Sequence, residues 1–165
     1  MTKDDFLAVF GGVYESSPWV AETVWGQVQV SAADDLVSLQ ALMRDAVDNA
    51  SREKQLALIR AHPELAGRAA VAGEMTEESK SEQKGAGLDQ CSLEEFAEFM
   101  TLNQRYNEKF GFPFIIAVKG HDRQSFLAAF RERLENDAET EFKTALEQIH
   151  RIASFRLAAI AGEEQ

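Results

Sequence analysis

The sequence predicts an all-α fold, a single compact multi-helix domain over residues 1–165 with one buried extended connector. Three observations carry this expectation. Apolar residues recur at helical spacing along most of the chain. Ser and Thr stand where helix N-caps belong. Only one run, Phe112 to Val118, has the aromatic and β-branched character of a strand, and a lone strand has nothing to pair with.

The elements follow in order. Thr2 is placed to cap a first helix with Phe6, Val9 and Phe10 on one face. Ser31 is placed to cap a second, whose Leu36, Leu39, Leu42, Met43 and Val47 keep the spacing of a core-facing stripe. Ser51 opens a helix through Leu56, Leu58 and Ile59 that must end near His62, because a residue before proline is pushed out of the α region. The small residues from Ala66 to Gly73 read as a loop, and Thr76-Glu77-Glu78 as the acid-rich start of a helix that stops at Gly85 and Gly87. Ser92-Leu93-Glu94-Glu95 has capping-box spacing, and the helix it opens carries Phe96, Phe99, Met100, Asn103, Tyr106, Asn107 and Phe110 on one face until Gly111. After the connector, whose backbone polar groups need partners, helices are predicted from Ser125 to Leu134 and from Ala138 to Ala161. The last has Phe142, Ala145, Leu146, Ile149, Ile152, Ala153, Leu157 and Ile160 on its apolar stripe.

Composition narrows the function classes. With 45% hydrophobic and 27% charged residues, the chain fits none of the disordered, fibrous or membrane classes. Its 165 residues can bury roughly 70% of their unfolded surface, enough for a core without staples. The 28 acidic against 17 basic residues give a net charge of −11, which opposes nucleic acid and anionic lipid where no basic patch exists, so neither partner is expected. A lone Cys91 forms no internal disulfide and reads as a small buried or cap-adjacent residue. The acidic start, Met1-Thr2-Lys3-Asp4-Asp5, is unlike a secretory leader, and Gly162-Glu163-Glu164-Gln165 is unlike a peroxisomal address; a cytoplasmic home is expected.

Three features look chemical. Arg156 lies seven residues after Ile149, four after Ile152 and four before Ile160, which puts a permanent charge on the buried stripe of the last helix. It must meet a carboxylate, an anionic ligand, or water through a snorkelling stem. His62 stands at a helix C-terminus, where the dipole favours imidazolium, as suits an acid or base and equally a capping histidine. Ser79, Glu82 and Gln83 share one helix face and read either as a site for a polar small molecule or as a hydrophilic surface among Glu77, Glu78, Lys80 and Lys84. His150, flanked by Gln148 and Arg151, is expected in solvent, and His121 after Gly120 is uninformative. Three histidines and one cysteine at these spacings make no metal set, and none is expected.

Four ordered blocks then take on a joint meaning: His62-Pro63-Glu64-Leu65-Ala66-Gly67; Ser79-x-x-Glu82-Gln83-x-x-Ala86-Gly87-Leu88; Phe96-x-x-Phe99-x-x-Leu102-Asn103-x-x-Tyr106-x-x-Lys109-Phe110-Gly111-Phe112-Pro113-Phe114-Ile115-Ile116; and Arg151-Ile152-x-x-x-Arg156-Leu157. Over nearly its whole length the chain resembles the 2-oxo-4-hydroxy-4-carboxy-5-ureidoimidazoline (OHCU) decarboxylases of urate breakdown. The resemblance implies an all-α, cofactor-free homodimer that releases CO2 from OHCU to give S-allantoin. By position it implies His62 as catalytic acid/base, Glu82 as its acidic partner at the substrate hydroxyl and Arg156 as the cationic anchor. Pro63, Ser79 and Gln83 are implied as pocket residues, with Phe114, Ile115, Ile116, Ala117 and Val118 lining the pocket from the connector. Met75 replaces a more usual Leu, a conservative change, and the length leaves no room for a fused urate oxidase or hydroxyisourate hydrolase segment.

The chemistry asks little more. The OHCU carboxylate sits on a carbon next to a C=N bond that can take the electrons of departing CO2, so the substrate carries its own sink. The protein must orient the carboxylate, stabilise developing charge and deliver a proton. Two alternatives use the same pocket: a cofactor-free decarboxylase or hydrolase of a related ureido-acid, and a non-catalytic helical module that binds ureides.

Overall fold

Thr2 caps the first helix as expected: its hydroxyl accepts from the Asp5 N–H at 3.1 Å while Asp5 Oδ2 accepts from the Thr2 N–H at 3.1 Å. The computed structural model describes residues 2–31, 36–62 and 93–162, and these form seven helices and no strand. They are α1 (Lys3–Phe10), α2 (Trp19–Ser31), α3 (Leu36–Asp48), α4 (Arg52–Ala61), α5 (Leu93–Phe110), α6 (Arg123–Leu134) and α7 (Ala138–Ile160). The all-α expectation therefore holds for the described residues. None of their helices is long and apolar enough to cross a membrane.

The chain divides into two compact units, residues 1–61 with 149–165 and residues 62–148; α7 runs from the second into the first. In the first unit α2 packs on α1 and α3. Phe6, Val20, Ala21, Val24, Leu39, Met43 and Val47 are buried there, with the Phe6 and Trp25 rings 5.2 Å apart. Lys54 N–H donates to Ser51 Oγ at 3.2 Å, the predicted cap of α4, which ends at Ala61 just before His62.

Helix α2 departs from the sequence reading, which placed no helix there and gave Ser31 the role of a cap for the next one. Ser31 is instead the last residue of α2. The run is rich in β-branched Val20, Thr23 and Val24, which weakens intrinsic propensity. Burial of Val20, Ala21 and Val24 decides it, helped by Pro18, whose carbonyl accepts the Glu22 N–H at 3.0 Å in the first turn. The loop from Ala66 to Gly73, the helix from Thr76, Cys91 and the Ser92 cap lie outside the described residues.

In the second unit α5 packs on α6. Helix α5 closes at Gly111, whose φ of +77° is the left-handed conformation a glycine adopts without Cβ strain. Helix α6 begins at Arg123, two residues earlier than expected, because Asp122 is its N-cap and Ser125 completes the box. Between them Phe112 to Ala117 is non-helical, unpaired and buried, the expected connector. Aromatic rings hold it: Phe114 stacks on Phe130 at 3.7 Å and meets Tyr106 edge-on at 5.3 Å.

Candidate active site

His62 directly follows the last residue of α4 and is only 7% exposed, although histidine is half polar and a chain turn normally faces water. Pro63 explains the position, since it forbids continuation of the helix through its predecessor. A buried imidazole at a helix C-terminus can hold or pass a proton where few waters compete.

Arg156, in the other unit, is also 7% exposed. Its place on the buried face of α7 is the one its spacing predicted. Nη2 stands 2.9 Å from Oε2 of Glu15, itself 2% exposed, and Nη1 donates to the Gly12 carbonyl at 3.4 Å. The carboxylate that a buried guanidinium requires is thus supplied from the loop between α1 and α2. The Arg156 reading that left an internal pair open is the one realised, and the pair is compatible with ligand contact through other donors of the five-donor fork.

Within the second unit the connector is tied down by side chains. Arg133 Nη1 donates to the Ile115 carbonyl at 2.5 Å, and the Ala117 N–H donates to Gln148 Oε1 at 3.0 Å. The Val118 carbonyl accepts the His121 N–H at 3.1 Å. Those groups are the partners that a lone extended segment needs. Arg133 in turn donates from Nε to Glu141 Oε1 at 2.7 Å, the same oxygen that accepts the Tyr106 hydroxyl at 2.6 Å, and Asn136 donates to Oε2 at 3.0 Å. The guanidinium carbon lies 4.3 Å from the Phe114 ring centre. Burial drives the Tyr106 phenol far above its ordinary range against the opposing pull of Arg133, so it stays a donor to Glu141.

Of the predicted site residues, His62, Arg156, Phe114, Ile115, Ile116, Ala117 and Val118 are described; Pro63, Ser79, Glu82 and Gln83 lie outside the described residues. His150 corrects the sequence reading. It is 2% exposed rather than solvated: Nδ1 lies 2.7 Å from the Tyr14 hydroxyl and Nε2 3.0 Å from Asp48 Oδ1. Its neighbours in the chain, Gln148 and Arg151, suggested solvent. Its neighbours on the helix, Leu146 at −4, Ala153 at +3 and Leu157 at +7, were the better guide. Sequence reasoning also missed Glu15, Arg133 and Glu141; the last two lie on apolar stripes, at Phe126 and Phe130 plus seven and three, and at Ala145 and Ile149 minus four and eight. Among the described residues no group of three His, Cys, Asp or Glu is placed to hold a metal ion. The surface groove lined by Glu98, Thr101, Arg105, Arg131 and Glu135 is charged and contains no predicted site residue.

The sequence profile of the OHCU decarboxylase family matches residues 1–158. The chain is 45% identical over 158 residues to the 2-oxo-4-hydroxy-4-carboxy-5-ureidoimidazoline decarboxylase of Haloferax volcanii, covering 96% of this chain and 90% of that protein. Its fold is similar to a crystal structure of OHCU decarboxylase in the presence of (S)-allantoin, with a TM-score of 0.69 and 25% identity over 96% of this chain and 98% of that one. It is also similar to the crystal structure of an (S)-allantoin synthase, with a TM-score of 0.77 and 30% identity, covering 97% of this chain and about half of that one, 51%. The profile match, the relative and the all-α architecture agree with the four sequence blocks, and the chain belongs to the OHCU decarboxylase family.

Proposed function

We propose that this chain, an OHCU decarboxylase of urate degradation that forms (S)-allantoin, works with His62 and Glu82 at the 4-hydroxyl of OHCU and Arg156 at its carbonyl oxygens. The observation that supports the residue roles is that His62 and Arg156, the two described positions to which the resemblance assigns catalytic roles, are both withdrawn from water, each 7% exposed. His62 and Glu82 hold the hydroxyl and manage its proton as the carboxylate leaves. Arg156 offers a rigid fork to the ureido and ring carbonyl oxygens.

Pro63, Ser79 and Gln83 line the pocket together with the connector, Phe114 to Val118. The Ile115 carbonyl, the Ala117 N–H and the Val118 carbonyl are engaged within the protein, so backbone contact with substrate in this stretch comes from its other N–H and C=O groups. Electrons from the breaking C–C bond enter the adjacent C=N bond of the substrate, so no added electron sink is called for, and the chain works as one domain without a cofactor. The resemblance supports a homodimer, which light scattering tests; the expected cytoplasmic location is tested by fractionation.

Chirality-resolved turnover tests the function. OHCU is generated from urate with the two upstream enzymes, this protein is added, and the circular dichroism of the allantoin is followed. A lasting S-allantoin signal that scales with protein is expected, and His62→Asn should lower the rate by roughly 10²–10⁴-fold with the helical signal intact. Racemic product at the uncatalysed rate from folded protein would instead favour a related ureido-acid or a binding role. Unchanged turnover in His62→Asn would remove the histidine from the mechanism.

A further inference from the structure

The loop between α1 and α2 is built to deliver one side chain. Ser16 takes φ +47°, the only non-glycine residue with positive φ among those described, and such strain persists only where the surroundings over-determine it. Ser17 Oγ donates to the Glu15 carbonyl at 2.9 Å and the Ser17 N–H to the Tyr14 carbonyl at 3.1 Å, closing the turn around Glu15. Two adjacent loop residues then engage α7. Tyr14 meets His150, which is braced in turn by Asp48, and Glu15 meets Arg156 six residues further along, about 9 Å up the helix. All of these residues lie in one unit.

We infer that Glu15 is a positioning residue that neutralises Arg156 and fixes its plane, so that the guanidinium reads neutral carbonyl oxygens and does not clamp the substrate carboxylate. The inference rests on the assignment of Arg156 to substrate binding made above. Its physical basis is differential binding. The carboxylate of OHCU is charged in the ground state and leaves as neutral CO2, so a bare buried cation beside it would stabilise the starting state most and oppose the reaction. A guanidinium already compensated by Glu15 keeps its hydrogen-bond geometry without that penalty. Tyr14, His150 and Asp48 hold the loop that keeps the compensating charge at 2.9 Å.

The test uses the full-length protein, with OHCU kinetics and two inhibitors that differ only in a carboxylate: 2-oxoimidazolidine-4-carboxylate and 2-imidazolidinone. For Glu15→Gln the expected result is a kcat roughly tenfold or more lower, with inhibition by the carboxylate shifted at least as far toward tighter binding relative to the neutral ring. A merely structural Glu15 would lower the amount of active protein and leave that ratio alone. Should Glu15→Gln fail to fold, Glu15→Asp keeps the charge one methylene further away and should show both changes in smaller degree. Arg156→Lys separates the two claims. If it raises KM while the folded Glu15 variant matches the wild type in kcat and selectivity, the inference is overturned and the anchor stands. If Arg156→Lys leaves KM unchanged, the anchor itself falls, and the inference with it.

Discussion

Among the described residues two arginine–glutamate pairs are buried, one in each unit, and they are built for different ends. Arg133 and Glu141 tie three segments of one unit together: α6, the first turn of α7, and the connector through the Ile115 carbonyl, with Phe114 stacked against the guanidinium. Their neighbours Tyr106 and Asn136 complete the carboxylate's shell. Arg156 and Glu15 tie α7 to a loop held in a strained turn. A core fastener gains nothing from backbone strain, whereas a group that must keep one orientation does. Burial alone therefore does not tell what a charged pair is for; the kind of segment that supplies each partner does.

The sharpest way to break this comparison is Arg133→Met. It leaves the fully buried Glu141 without its cation, and the loss of stability is expected to reach about 3–5 kcal/mol, read as a shift of the urea midpoint. Adding Glu141→Leu should restore part of that stability, because an apolar pair of similar volume removes the stranded charge. Turnover should recover with it if the connector keeps its course. The corresponding double replacement Glu15→Leu with Arg156→Met should also tolerate folding yet leave no turnover. Recovery of activity in the second double variant would erase the distinction between the pairs.

A milder test keeps the charge. Arg156→Lys retains the cation but loses the planar fork, and KM for OHCU is expected to rise roughly tenfold with less change in kcat. Arg133→Lys should act on stability and leave KM near the wild-type value. Equal effects of the two substitutions on KM would mean that both arginines serve the same structural purpose.

Much of this was open to reading from the chain, and the failures have a common cause. The caps at Thr2 and Ser51, the stop at Gly111 and the unpaired connector all follow from local chemistry, and the structure keeps them. Arg156 was visible because it sits on a long, regular stripe. Arg133, Glu141 and His150 pass the same stripe test but stand among charged or polar residues in the linear chain, which hides them until the helix is wound. Glu15 offers no such signal. Gly11-Gly12 and Ser16-Ser17-Pro18 mark a turn, but nothing in a turn says that its carboxylate points inward; only the demand of a distant arginine decides that. Helix α2 was lost for the opposite reason, since weak local propensity there is overruled by the burial of Val20, Ala21 and Val24.

The smallest expected effect concerns Tyr106, whose hydroxyl donates to Glu141 beside Arg133. Tyr106→Phe removes one charge-assisted bond while Arg133 and Asn136 still serve the carboxylate, so a loss of about 1.5 kcal/mol is expected at neutral pH. The alkaline side is more telling. Burial raises the phenol in the folded state, whereas in the unfolded chain it titrates near its ordinary value of 10.0. Above that value the unfolded state sheds a proton that the folded state keeps, so stability falls as pH rises, at up to about 1.36 kcal/mol per pH unit for this group. Removing the hydroxyl removes that slope. Urea midpoints measured between about pH 9 and about pH 11 should therefore converge, the variant losing less than the wild type as pH rises. Parallel pH profiles would mean that the phenol is exposed to water in solution, and the closed shell around Glu141 would be open.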